Sequence, residues 1–139
     1  MKALLVFFIA ASTVFTMKSN ADKIILSYAD GSGNSYVIKS TRSQGHTLSY
    51  FPVKPEFSSS GIYDGGQPVN DKPLGEAEFK ALQLLFEKAL KSGETNTKGR
   101  NKGTGLVQDF RSKKKRAVLK MNAPEKEALE AALKKARGL

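Results

Sequence analysis

The chain has 139 residues, of which 23 are lysine or arginine and 13 are aspartate or glutamate, and its formal net charge is +10. It contains no cysteine and one histidine, which excludes disulfides and argues against a zinc site built from several thiolate or imidazole ligands. This length suits one domain with one hydrophobic core, and the positive charge favours association with anionic surfaces.

The first 21 residues have the organisation of a secretory signal peptide. Lys2 precedes an apolar run over residues 3–16, and Ser19 and Ala21 place small residues at positions −3 and −1 of a cleavage site. The run stops well short of the about 20 apolar residues that span a bilayer. We therefore expect cleavage after residue 21, export to the periplasm or secretion, and no transmembrane segment in the mature chain.

The mature chain, residues 22–139, is expected to form a single α+β domain. β-forming residues at 23–29 and 36–39 flank a segment rich in glycine, and this pattern predicts a hairpin. A third strand is expected at 47–53. The glycine-, serine- and proline-rich segment 55–73 is interpreted as a loop.

Apolar residues at helical spacing predict two helices. The first carries Phe86 in the middle of its apolar stripe and ends at Ser92 and Gly93. The second is expected to begin with Asn122 as its N-cap and Glu125 as the capping-box partner.

Between the predicted helices, strands at 104–110 and 117–121 are expected to pair as a second hairpin. The predicted fold class is therefore α+β: a small antiparallel sheet built from two hairpins, with two helices packed on one face and a cleaved signal peptide before it.

The positive charge is concentrated late in the chain, since nine basic residues and one acidic residue lie between Lys98 and Lys120. Short basic runs bind polyanions by releasing counterions. The alternative is a solvated turn that keeps a sheet edge from pairing. If the strands pair, the basic loop and the basic turn lie at opposite ends of the hairpin. The candidate binding residues are Lys98, Arg100, Lys102, Arg111, Lys113, Lys114, Lys115 and Arg116.

These patterns favour a small exported, non-enzymatic binding protein whose partner is an anionic polymer, a membrane surface or an acidic protein. No specific nucleic-acid motif is present, because aromatic residues are not interleaved with the basic ones. No catalytic residue, metal ligand or cofactor is assigned, and His46 is interpreted as a polar loop residue.

Two alternative functions stay open. The protein is an inhibitor of a secreted hydrolase if the loop at 58–68 inserts into a cleft. It is a small hydrolase if the fold brings together carboxylates that the sequence does not pair. The candidate recognition loop of the inhibitor consists of Tyr63, Asp64, Gly65 and Gly66.

The signal-peptide pattern predicts that the mature protein begins at Asp22. N-terminal sequencing of protein recovered from outside the cytoplasm measures this directly. A mature form that still carries Met1 would overturn the prediction.

Overall fold

The computed structural model describes residues 22–58, 61, 65–95, 100 and 102–139. The predicted signal peptide lies outside these residues, as do Tyr63, Asp64 and Lys98. Among the residues that the structure describes, neither helix combines the length and the apolar character that a membrane span requires.

The described residues form one six-stranded sheet and two α-helices. The strands are β1 (Lys23–Ala29), β2 (Ser35–Thr41), β3 (Gly45–Phe51), β4 (Val69–Leu74), β5 (Gly105–Asp109) and β6 (Lys115–Leu119). The helices are α1 (Glu76–Ser92) and α2 (Pro124–Ala136), and a 3-10 turn covers Pro55–Phe57. The strand order is β4-β3-β2-β1-β5-β6, and every neighbouring pair is antiparallel.

The α+β class and the antiparallel sheet are confirmed, but the sheet is larger than two hairpins. All but the last residue of strand β4 lies inside the segment that the sequence predicted to be a loop, and β1 to β4 form a continuous meander. Its sequence lacks alternating β-formers and contains Pro73, which an edge strand tolerates. Asp71 has a φ of 49°, at an irregularity where the register with β3 shifts. Pairing with β3, rather than local preference, forms this strand.

One face of the sheet provides the hydrophobic core. Side chains alternate between the two faces of the sheet, and those on one face point towards the helices. Leu26, Ile38 and Leu48 form one row across β1, β2 and β3, and all three are buried. The core also contains Tyr28, Tyr36, Tyr50, Leu74, Phe79, Leu82, Phe86, Ala89, Val107, Leu119, Leu129, Leu133 and Ala136.

The helix α1 runs across this face from β4 towards β6. Near its start the ring of Phe79 stacks on His46 of β3, with ring centroids 3.6 Å apart and planes within 3°. Beyond its end Glu94 exchanges two backbone hydrogen bonds with Val118 of β6, at 2.9 and 2.8 Å. The interpretation of His46 as a loop residue was therefore wrong, because the register of β3 with β4 includes it in the strand.

The helix α2 returns across the sheet beside α1. The hydroxyl of Tyr28 donates to Glu130 at 2.5 Å, and the Lys72 ammonium donates to the carbonyl of Ala136 at 2.7 Å. These bonds tie the middle and the end of α2 to β1 and β4. A lysine at the carboxyl end of a helix satisfies a carbonyl that has no partner within the helix.

The end of α1 was predicted correctly, but the start of α2 was not. The helix α1 ends at Ser92 before Gly93, as predicted, and a Cβ at Gly93 would approach the Cβ of Ala117 to 2.8 Å. The predicted N-cap of α2, Asn122, was wrong. The N-cap is Ala123, which forms no side-chain cap. The Ala123 N–H donates to the carbonyl of Lys120, and Asn122 lies within the turn that this bond closes.

Phe86 has no exposed surface, so we expect Phe86→Ala to lower the free energy of unfolding by about 3–5 kcal/mol, the cost of a large core cavity. Leu84→Ala on the same helix is the matched control, because Leu84 is 59% exposed. Urea unfolding of both variants measures the difference. Equal unfolding midpoints for Phe86→Ala and the wild type would contradict the assigned helix face.

Candidate functional site

The hairpin of β5 and β6 presents the densest group of cations in the described chain. Its register runs from Gly105 opposite Leu119 to Asp109 opposite Lys115, which leaves residues 110–114 as the turn. Lys115 and Arg116 therefore belong to β6 and not to the turn, in contrast to the prediction. Pairing with β5 extends β6 into polar residues that the apolar pattern did not include. The basic hairpin cluster, as we name it, consists of Lys113, Lys114, Lys115 and Arg116.

All four side chains of the basic hairpin cluster are exposed. No ion pair joins any of them to an acidic residue within the part of the chain that the structure describes. The Lys114 ammonium lies 5.6 Å from the centre of the Phe110 ring, a cation–π distance. The base of the turn is fixed to the sheet, because the Phe110 N–H donates to the carbonyl of Ile25 at 2.9 Å.

Arg111 differs from the other predicted binding cations because it is already paired. Its Nε and Nη2 donate to the two carboxylate oxygens of Asp109 at 3.1 and 2.9 Å, and its backbone N–H donates to Asp109 Oδ1 at 2.9 Å. Nη2 also lies 3.6 Å from Glu87 of α1. Arg111 thus joins the turn to α1, and its charge is balanced within the protein.

The electrostatics of this pair agree with its geometry. The side-chain hydrogen bonds from Arg111 hold the pKa of Asp109 below its ordinary value, although partial burial opposes this effect. The same bonds raise the pKa of the Arg111 guanidinium. The pair therefore stays ionised and intact across the neutral range.

Two adjoining clefts border the basic hairpin cluster. The first has a volume of about 610 Å³ and lies between α1 and the hairpin. The second has a volume of about 460 Å³ and lies beside β6. Leu90 and Lys115 line both clefts. The first is also lined by Glu87, Lys91, Asp109, Arg111 and Ser112, and the second by Thr95, Lys114 and Arg116.

Lys91 is the cation at this site that the sequence did not assign to it. In the sequence it stands in the last turn of α1, where a lysine suits the helix dipole. The course of α1 across the sheet brings it beside Lys115. Nothing local in the sequence indicated which strand it would meet.

The second basic segment lies at the other end of β5. The guanidinium of Arg100 donates to the carbonyl of Asp30 at 2.8 Å and lies 3.5 Å from that of Ala29. Gly103 packs so closely on Gly31 that a Cβ at Gly31 would overlap its backbone. This loop therefore closes over the β1–β2 turn, while Lys102 stays exposed. Arg100 and Lys102 form no common patch with the basic hairpin cluster.

The described part of the candidate recognition loop is tied to the sheet. The Tyr50 hydroxyl donates to the carbonyl of Gly65 at 2.6 Å, and the Gly65 N–H donates to the carbonyl of Val53 at 3.2 Å. A Cβ at Gly65 would overlap the side chain of Asn34. Gly66 has a φ of 96°, which favours glycine. These contacts give Gly65 a structural role.

Several described acidic residues away from the hairpin serve the fold. Asp30 accepts backbone N–H bonds within its own turn, and Asp71 bonds with Ser49 across β3 and β4. Glu130 accepts from Tyr28, whose pKa is raised by burial and by this acid. Within the described residues no group of three or more histidine, aspartate or glutamate side chains could hold a metal ion.

Comparison of the chain with protein-family models, with curated proteins and with solved structures finds no match. The geometry of the site is therefore the basis of the functional argument.

The Asp109–Arg111 pair predicts a pH-dependent stability. Because the folded-state pKa of Asp109 is lowered, its contribution is complete above the ordinary carboxyl pKa and is lost as the pH falls through the lowered value. We expect Asp109→Asn to cost about 1–3 kcal/mol at neutral pH, since Arg111 loses its main acceptor. The difference from wild type should shrink in acid.

Thermal unfolding of both proteins across the acid range tests this dependence. The exposed Glu56→Gln substitution is the matched control for loss of one carboxylate. A stability difference that stays constant with pH would show that Asp109 does not act through its charge.

Proposed function

We propose that the protein is a small exported, non-enzymatic binding protein that contacts an anionic partner through the basic hairpin cluster. The observation that supports this proposal is the exposure of four consecutive cationic side chains that form no ion pair with an acid among the described residues. Cations placed in this way repel one another, and an anionic partner relieves that repulsion and releases counterions.

The hairpin controls where these charges lie. Lys115 and Arg116 are neighbours on β6, so their side chains point to opposite faces of the sheet, while Lys113 and Lys114 project from the turn. Arg111 and Asp109 fix the base of this turn. Two of the four cations thus lie on a paired strand, and the turn that carries the other two is tied to the sheet and to α1.

Edge protection is the alternative explanation for the same charges. Strand β6 lies at the edge of the sheet, and basic side chains on an edge prevent pairing with other chains. Part of this edge is already closed, because Glu94 pairs with Val118. Lys115 and Arg116 lie on the part of β6 that this pairing leaves open, whereas Lys113 and Lys114 lie in the turn, where there is no strand edge to protect. This extension of the cluster into the turn favours a partner.

We expect replacement of Lys113, Lys114, Lys115 and Arg116 by glutamine to weaken binding to a heparin-like polymer or to duplex DNA. On DNA, the slope of log affinity against log salt should fall by up to about 0.9 for each phosphate that the variant no longer neutralises. Folding stability should change by less than about 0.5 kcal/mol per exposed site. Binding isotherms at several salt concentrations and urea unfolding measure the two effects.

A matched control removes the same charge elsewhere. Arg42, Lys54, Lys134 and Lys135 are exposed and line neither cleft, so their replacement by glutamine should leave more of the affinity intact. Equal losses in both variants would mean that net charge alone attracts the polymer. Unchanged binding with increased aggregation of the cluster variant would support edge protection and overturn the proposal.

A further inference from the structure

The two clefts beside β6 meet at Lys115 and Leu90, and cations lie along both of them. We infer that the clefts form one track for a flexible linear polyanion that carries phosphate or sulfate groups, and that Lys91 of α1 is part of this track. This inference rests on the proposed function and identifies the class of partner.

The placement of the charges favours a chain over a single small anion. Lys115 lies opposite Asp109, on the face of the sheet that carries the helices, whereas Arg116 lies opposite Gln108, on the other face. The second cleft reaches both Lys115 and Arg116 at the edge of the sheet, but Lys91 lines only the first cleft, so a small anion in either cleft does not contact all three. A chain with recurring charges reaches Lys91 and Lys115 in the first cleft and Arg116 in the second.

The same placement disfavours a flat membrane surface. A planar array of headgroups meets the outermost side chains of an edge strand, while the cations here line two adjoining clefts that share Leu90 and Lys115. Phe110 is the aromatic residue of this turn, but its ring already has the Lys114 ammonium over it and does not offer a bare apolar surface to a membrane. A flexible chain enters recesses that a plane cannot reach.

The acidic residues of the first cleft do not cancel its attraction for anions. Glu87 and Asp109 both contact Arg111, which balances one of the two negative charges. Lys91 and Lys115 add two positive charges with no ion pair to a described acid, so the cleft is cationic overall. Leu90 gives both clefts an apolar wall that suits the uncharged linkers between anionic groups.

Inorganic polyphosphate is a suitable probe because its charges recur along a flexible chain. We expect its affinity for the full mature chain to rise, from triphosphate to long polyphosphate, more steeply than in proportion to the number of units. Lys91→Gln should lower the affinity for the long chain about fourfold near 0.15 M salt, which corresponds to a decrease of about 0.7 in the salt slope for one phosphate. Isothermal titration at several salt concentrations measures both quantities.

Lys88→Gln is the matched control, since Lys88 is exposed on the same helix but lines neither cleft. Its affinity should stay close to that of the wild type. Equal losses of affinity for Lys88→Gln and Lys91→Gln would show that the positive charge of the whole surface, and not the track, attracts polyphosphate. Proportional growth of affinity with chain length would also overturn the track, as would binding to anionic phosphatidylglycerol vesicles without binding to free polyphosphate.

The failure of this inference is distinguishable from failure of the proposed function. If Lys91→Gln has no effect while the glutamine variant of the basic hairpin cluster loses binding, the partner contacts the hairpin alone. In that case the proposed function holds and the track is wrong. If neither variant loses binding, both are wrong.

Discussion

The helices of this protein are held on the sheet by the side chains that they bury, with a few hydrogen bonds and ion pairs beside them, and no cysteine is present to cross-link them. Phe86 of α1 has no exposed surface, and its neighbours on the helix pack on the same apolar face of the strands. The remaining arrangement depends on this burial. The path of α1 from β4 to β6 sets where its exposed residues lie, and it places Lys91 beside the hairpin of β5 and β6.

Packing of α1 also determines what Arg111 does. A guanidinium in a basic turn would ordinarily add to an anion-binding surface. Here Asp109 at the end of β5 accepts its hydrogen bonds and Glu87 on α1 forms an ion pair with it at 3.6 Å, so it connects the turn to the helix. The neighbouring cations are left without ion pairs to described acids and lie on a fixed frame. The contacts of Arg111 with Asp109 and Glu87 thus fix the base of the turn that carries the neighbouring cations.

Much of the fold could be predicted from the sequence, but the parts that depend on distant pairing could not. Helical spacing identified the buried face of α1, and the glycine-rich turn at 30–34 identified the first hairpin. Strand β4 has no strand-like pattern of its own, because β3 provides its hydrogen bonds. The extension of β6 to Lys115 and Arg116 was missed for a similar reason, since their partners on β5 determine it.

In the candidate site, too, some features could be predicted from the sequence and others depend on contacts between distant segments. The basic residues and their separation into two spots followed from sequence and from hairpin geometry. The pairing of Arg111, the packing of Arg100 on the β1–β2 turn and the approach of Lys91 required the tertiary structure. A run of cations in a sequence does not distinguish those that face solvent from those that hydrogen bond within the fold.

An NMR titration of the protein with polyphosphate, which follows the amide signal of each residue, tests the proposed track most directly. We expect the signals of Lys91, Lys114, Lys115 and Arg116 to shift together and saturate at one concentration, while those of Arg100 and Lys102 stay in place. Shifts centred on Arg100 and Lys102, or spread evenly over all exposed lysines, would contradict the proposed track.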